Sequence, residues 1–501
     1  MISGNGKRWT GRAARTSAAR KAGPQAPRGG AAGRGPASWL ARPLASFHLV
    51  VTIATLLTAL GLVMVLSASG VVEYAEGGSA YSLFIQQTLF AAIGAVLFYL
   101  ALRVPLRLLR QASFPLFAIS VLALVLVLIP GIGTQVQGAR RWLIFGPVSV
   151  QPSEVVKVTL IVWGAHLLVS RRAIGSSLRD ILVPLVPAGV LVCLLIVVQP
   201  NLSTTVAVGI ILGALLWFGG LPVRLFVTIA ISGVVAAGVL AMSAGYRSNR
   251  VRSFFNPGSD PQGDNYQARQ ALYSLADGGI WGRGLGQSRA KWSYLPNAHN
   301  DFIFAIIGEE LGFLGCALVL GLFALFVYTG LRIASRSADP FLQLLTASAT
   351  TWIAGQAMIN IGYVVGLLPV TGLQLPLVSA GGSSLAITLL MFGLIANAAR
   401  HEPEAVAALH AGQDGRFSRL LRLPKPEVYA PARASGSRRG RAPRQADRGP
   451  SALPRGRGGR FGAEPARRRS PESRGTSSAR ATRAWEPSYP VNHARERGRS
   501  R

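Results

Sequence analysis

FHLVVTIATLLTALGLVMVLSAS, residues 47–69, runs without an acid, lysine or arginine. A hydrocarbon core of about 30 Å is crossed by about 20 such residues in a helix. Working outward, SFPLFAISVLALVLVLIP (113–130) and ILVPLVPAGVLVCLLIVV (181–198) repeat the pattern. Only 14% of the chain is charged, against about 25% in soluble domains. Blocks bounded by charges or Pro/Gly clusters fall at 46–69, 82–102, 113–130, 153–170, 181–199, 203–219, 222–243, 301–330, 341–366 and 382–400. The expectation is an all-α polytopic integral membrane protein of about ten transmembrane helices. Cys193 and Cys316 both fall inside blocks, which argues against an extracytoplasmic disulfide framework and for small buried side chains.

The net charge of +32 is unevenly placed. Residues 1–45 hold nine Lys/Arg and no acid, and residues 401–501 hold 23 Lys/Arg against nine acids. Both segments are Pro-, Gly- and Ser-rich without apolar periodicity, so they read as disordered tails around a membrane domain over 46–400. The first 45 residues lack an apolar core and do not read as a cleavable signal peptide. Basic segments stay cytoplasmic. Ten spans then put both termini on the inner face of the plasma membrane, with Arg103, Arg107, Arg110, Arg171, Arg172, Arg179, Arg224, Arg332 and Arg336 beside them. The tails have no nucleic-acid-binding fold or interleaved aromatics. Anionic lipid and cytosolic partner proteins are the expected contacts.

Several cations break the charge rule. Arg140, Arg141 and Lys157 sit near the outer ends of the third and fourth blocks, and Arg247 and Lys291 lie in the large extracytoplasmic loop 244–300. Two readings stand: snorkelling toward lipid phosphates, or an anion site for a lipid-linked phosphate ligand. In GARRWLIFGPVSVQPSEVVK (138–157), Arg140, Arg141 and Trp142 form an amphipathic interfacial cluster. Glu154 and Lys157 share one face of a helix start; they either pair with each other or line a polar cavity. GLLPVTGLQLPLVSAGGSS (366–384) reads as a broken segment lining a cavity.

LPNAHNDFIFAIIGEELG (295–312) places Asp301 at the mouth of an apolar block and Glu309 and Glu310 inside it. Asp301 is either a helix N-terminal acid, favoured by the macrodipole by about 0.3–1 kcal/mol, or a reactive group. The two glutamates lie about 12 and 13.5 Å deeper, turned by about 80° and 180°. They are expected to hydrogen-bond between helices brought close by Gly308, Gly312 and Gly315.

GARRWL, QPSEVVK, QPNLST, NYQARQALYSLADGGIWGRGLGQS, YLPNAHNDFIFAIIGEELG and GLLPVTGLQLPLVSAGGSS, in that order, resemble the SEDS (shape, elongation, division, sporulation) proteins. The IIGEELG and GLQLPLVSAGG spellings are closer to division than to elongation members, and the Arg-rich tails suggest an actinobacterial source. The resemblance implies a septal peptidoglycan glycosyltransferase that polymerises the lipid-linked disaccharide precursor (lipid II) into β-1,4 glycan. It implies Asp301 as general base, Glu154 and Lys157 as the cavity acid and base, and a class B penicillin-binding transpeptidase as partner. Arg140, Arg141, Lys157, Arg247 and Lys291 are then candidates for the departing pyrophosphate, with a divalent cation (Mg or Mn) as an option. Asn300 stands where the family commonly has Thr, and Asn201 where it commonly has Asp, so position 201 is assigned no acid role. A lipid II flippase or transporter, and a non-catalytic division scaffold, remain the alternative readings. Transport predicts internal repeats, and the two halves carry no convincing one.

Overall fold

The computed structural model describes residues 42–75, 79, 81–136, 138–146, 148–173, 177–243, 254, 264–289, 295, 298–412 and 421–429. Ten long helices occupy the ten apolar blocks: α1 Ala45–Ala75, α2 Ser82–Arg103, α4 Ser113–Leu128, α5 Pro152–Ala173, α6 Leu178–Val198, α7 Leu202–Phe218, α8 Val223–Ser243, α10 Ile303–Arg336, α11 Pro340–Val364 and α12 Ser383–Arg400. Between them lie the short α3 Leu106–Gln111 and the amphipathic α9 Asp264–Gly278; α13 Pro403–His410 follows. Among the described residues six helices are long and apolar enough to cross a membrane, and three shorter ones are apolar. The tenth, α11, is central, packing on α5, α7, α10 and α12. It buries Thr346, Ser348, Thr350, Gln356 and Asn360, because its neighbours are protein and can take its hydrogen bonds. The protein is a polytopic helical membrane protein.

α8 is the opposite case. It leans on α7 and leaves Val227, Ile231, Val234, Val235 and Val239 exposed, a surface suited to acyl chains. α2 and α12 instead pack backbone to backbone. A Cβ on Gly393 would lie 2.6 Å from Phe98 O, so only glycine permits the approach. Amides clamp both ends of this pair. Gln87 Nε2 donates to Ser379 O at 3.1 Å, and Asn397 Nδ2 donates to Ala101 O at 2.8 Å.

The all-α expectation needs one correction. Between α4 and α5 the chain forms a three-stranded antiparallel sheet, β1 Thr134–Val136, β2 Ala139–Phe145 and β3 Val148–Val150, in the order β1-β2-β3. Trp142 pairs with Thr134, and Ile144 with Ser149. Gly138 (φ 79°) and Gly146 (φ 59°) supply left-handed turns at no steric cost. The β-branched and aromatic residues between them favour strands. Trp142 thus sits on a strand of this ribbon.

The opposite end of the bundle gathers arginines. Arg110 pairs with Asp339, whose Oδ1 also accepts from Phe341 N at 3.0 Å to start α11. A second correction concerns the boundary at residue 401. Helix α13 and residues 421–429 lie against the bundle: Tyr99 Oη donates to Leu421 O at 3.3 Å and Arg400 Nη2 to Pro424 O at 2.7 Å. Arg107 pairs with Glu427 at 3.2 Å. Apolar Leu409, Leu421 and Leu423 hold segments whose composition reads as tail. The tail residues 1–41 and 430–501 lie outside the described residues.

Candidate active site

Asp301 sits in the turn that leads into α10, one residue before its N-cap Phe302. The N-cap residue Phe302 makes no side-chain capping bond. The Asp301 backbone is held. Asn360 Nδ2 donates to Asp301 O at 2.9 Å and Tyr363 Oη does so at 2.8 Å. Both groups also donate to Leu373 O, at 2.6 and 2.8 Å. Two fully buried side chains of α11 thereby join the Asp301 turn to the broken segment 366–382. Phe302 closes on the Tyr363 ring edge-to-face at 5.7 Å. Ala380 N donates to His299 O at 3.0 Å. Gly372 (φ 78°) passes so close that its Cβ would stand 3.4 Å from Asp301 Oδ2.

The Asp301 carboxylate lines a polar cavity of about 340 Å³, together with Arg141, Glu154, Asn300, Gln356 and Gln374. Glu154 is both paired and cavity-lining: it faces the cavity and bonds Lys157 at 2.8 Å. Lys157 is only 1% exposed, and its Nζ lies 4.7 Å over the Trp352 ring. Trp352 Nε1 donates to Gln356 Oε1 at 3.0 Å, and Gln356 Nε2 to Gln374 O at 3.0 Å. Lys157 therefore does not line the cavity; its charge is used beneath it, where a buried cation needs partners.

The ribbon separates the two arginines, since successive strand residues point to opposite faces. Arg141 lines the cavity and donates through Nε to Gln199 O at 2.9 Å. Pro200 O takes a second bond from its Nη2, tying the ribbon to the carbonyl end of α6. Arg140 is not among the cavity-lining residues. Arg247 and Lys291 lie outside the described residues. Asn201 caps α7, with Oδ1 accepting from Thr204 N at 3.2 Å, and Ser203 Oγ donates to Thr371 O. The QPNLST motif thus braces the broken segment, and Asn201 works as a neutral cap. Among the described residues no group of three or more His, Cys, Asp or Glu is placed to hold a metal ion.

A second, more open cavity of about 470 Å³ adjoins the first, with Val136, Trp142, Asn300 and Gln374 common to both.

Glu309 and Glu310 are 1% exposed and serve mainly a loop. Glu309 accepts from Ser288 Oγ at 2.6 Å and Arg289 N at 2.6 Å. Glu310 takes Ser67 Oγ of α1 at 2.6 Å, a helix-to-helix bond of the expected kind, and Ser288 N at 3.4 Å. Gly312 (φ 69°, ψ −166°) is a break in α10, and what comes close there is the glycine loop: a Cβ would lie 2.4 Å from Ile280 O. Across the break Phe313 N donates to Gly279 O at 2.9 Å and Arg283 N to Glu309 O at 2.9 Å. The glycine-rich loop is thereby stitched into the helix.

Asn360, Tyr363, Gln356 and Gln374 were not singled out in sequence. The signal was present: Gln356, Asn360 and Tyr363 recur at i, i+4 and i+7 on one face of an apolar block, a polar stripe that lipid would not tolerate.

Comparison with known proteins gives the family. Residues 47–404 match the family model described as "Cell cycle protein". The chain is 58% identical over 401 residues to a probable peptidoglycan glycosyltransferase FtsW of Mycobacterium tuberculosis, covering 80% of this chain and 76% of that one. It is 40% identical over 354 residues to stage V sporulation protein E of Bacillus subtilis, covering 70% and 96%. Among solved structures, a chain reported under "Structural coordination of polymerization and crosslinking by a peptidoglycan synthase complex" superposes with a TM-score of 0.57 at 28% identity, over 71% of this chain and 97% of that one. The mycobacterial relative fits the expected actinobacterial source. The chain belongs to the SEDS family of cell-cycle membrane proteins.

Proposed function

We infer that this protein is a peptidoglycan glycosyltransferase of cell division, polymerising lipid II into β-1,4 glycan. The observation that carries the mechanism is the Asp301 carboxylate on a polar cavity, its backbone fixed by Asn360 and Tyr363 and the Arg141 guanidinium on the same wall. Asp301 takes the proton from the acceptor sugar's hydroxyl. That oxygen bonds the donor's anomeric carbon as the carbon–oxygen bond to pyrophosphate breaks, and the bonding pair leaves with undecaprenyl pyrophosphate. The donor is α-linked, so one displacement gives β. Arg141 offsets charge on the leaving phosphate. Glu154 shapes the same wall, and Lys157 holds Glu154 in place. A divalent cation would be held by Glu154 together with substrate phosphates, as Mg²⁺ commonly is; it would supply further charge neutralisation there and leave Asp301 to take the proton.

The ribbon end faces outside and the arginine end the cytoplasm, in keeping with the basic loops. The membrane is the plasma membrane at the division septum. The peptidoglycan synthase complex among the structural relatives couples polymerisation to crosslinking by its description, so a class B penicillin-binding transpeptidase is the partner to test. The tails would meet cytoplasmic division proteins.

The deciding experiment incubates purified protein with fluorescent lipid II and separates glycan products from flipped substrate. Asp301→Asn is expected to lower polymerisation by about 10²–10⁴-fold with unchanged melting temperature. Glycan made at the wild-type rate by the Asp301→Asn variant overturns the reading, and flipping without glycan formation favours the transporter.

A further inference from the structure

The two adjoining cavities differ in charge. The Asp301 cavity carries Arg141, Glu154 and Asp301. The second is lined among the described residues by no Asp, Glu, Lys or Arg; its polar fringe is amides, a hydroxyl and one imidazole, including Gln86, Asn300, Gln374, Ser149 and His299. A pyrophosphate finds no guanidinium or ammonium there to offset its charge. A sugar ring is better served: amides answer hydroxyls, and the Trp142 indole offers an apolar face with a polar edge. Asn300 Oδ1 is buried and accepts no hydrogen bond in the structure. It lies on the wall common to both cavities, next to Asp301, so an O–H from a bound ligand would satisfy it. Gln87 is already spent, since its Oε1 accepts from Gly381 N and Gly382 N at 3.3 Å to hold the cavity floor.

We propose that the second cavity is a subsite for the uncharged terminal sugar of the acceptor. Trp142 is its stacking platform, and Asn300 with Gln374 forms the sill across which its hydroxyl reaches Asp301. Inversion requires the attacking oxygen to approach opposite the leaving group. The donor's pyrophosphate therefore lies on the Arg141 side of the first cavity and the acceptor sugar across the wall from it.

This rests on the glycosyltransferase reading, and the test keeps the two apart. The probe is a neutral N-acetylhexosamine tetrasaccharide without lipid or phosphate, added to full-length protein in nanodiscs. Asp301→Asn protein is used so that binding is read by saturation-transfer NMR without turnover. In that background Trp142→Ala is expected to weaken binding about tenfold or more, about 1.4 kcal/mol, and Trp142→Phe by less than about threefold. Ser149→Trp, on the outer strand of the ribbon, fills the second cavity and abolishes binding without depending on how Trp142→Ala folds. In catalytically intact protein, Trp142→Ala and Asn300→Ala raise KM for lipid II while leaving the pH profile of kcat unchanged. Tetrasaccharide that does not bind, binding indifferent to Ser149→Trp, or binding lost on Arg141→Ala each overturns the subsite. Failure of the enzymatic reading looks different: wild-type protein would then make no glycan at all.

Discussion

Two sets of carboxylates on one helix divide the molecule's labour. At the mouth of α10, Asp301 is gripped by its backbone carbonyl, from Asn360 and Tyr363, and its carboxylate lines a cavity. Past the second turn, Glu309 and Glu310 have their carboxylates consumed by Ser288, Arg289 N and Ser67. The chemical group is the same, and its setting is different: one lines a cavity and the other two bond a loop and α1. Holding the backbone fixes where the carboxylate meets the cavity, as the proposed general base requires. Gripping the carboxylate makes a staple, here joining α1, the glycine loop and the break at Gly312. Removing the charge should therefore abolish activity at the mouth and weaken the fold inside.

The largest effect that sharpens this contrast is on rate, with Asp301→Asn losing polymerisation at constant stability. The next is on stability. Glu310→Ala removes the acceptor of the half-buried Ser67 hydroxyl and of the buried Ser288 N, at about 1–3 kcal/mol for a buried group left unsatisfied. A drop in melting temperature in detergent, larger than that of Asp301→Asn, is the expected reading. Equal melting temperatures for the two variants would erase the distinction between gripped backbone and gripped carboxylate.

Smaller, and aimed at the grip itself, is Tyr363→Phe. It removes one of two donors serving Asp301 O and Leu373 O, while Asn360 keeps the other. Loss of a buried hydrogen bond costs about 0.5–1.5 kcal/mol. The expected split is kcat down several-fold with KM for lipid II little changed, because the base is displaced and the binding walls are not. A change confined to KM would move Tyr363 from positioning the base to shaping the binding site.

What the sequence made legible follows the same physics. The ten blocks were readable because the bilayer demands about 20 apolar residues per crossing, and Asp301 was readable because a carboxylate at such a mouth is conspicuous. The fates of Lys157 and Arg140 were not. Lys157 disappears beneath the cavity because Trp352, 195 positions along the chain, offers its ring face. Arg140 turns away because GARRWL is a strand, and period 2 splits two adjacent arginines that a helix would hold about 100° apart. Gly312 reads as a small residue for helix packing until the glycine loop arrives to take its backbone bonds. Each miss is a long-range partner that no local pattern announces.

A third buried carboxylate, at the arginine end, extends the comparison to a group gripped weakly. Glu402 is 4% exposed and lies 3.9 Å from Arg336, outside the spanning segments. Burial pushes its pKa up, opposed by Ser46, Arg336 and Arg332. A raised acid binds its proton more tightly folded than unfolded. Its contribution to stability is therefore fullest at low pH and fades as pH climbs from the ordinary carboxylate range through the raised folded value. His401 beside it has its pKa lowered by burial, which gives the opposite slope, but it is present with or without Glu402 and cancels in a difference. The melting temperature of wild type relative to Glu402→Gln should thus be more favourable at pH 5 than at pH 8, by about 1–3 °C if the differential is a few tenths of a kcal/mol. A difference independent of pH, or one growing toward pH 8, would mean that Arg336 holds Glu402 as firmly as Ser288 and Arg289 hold Glu309.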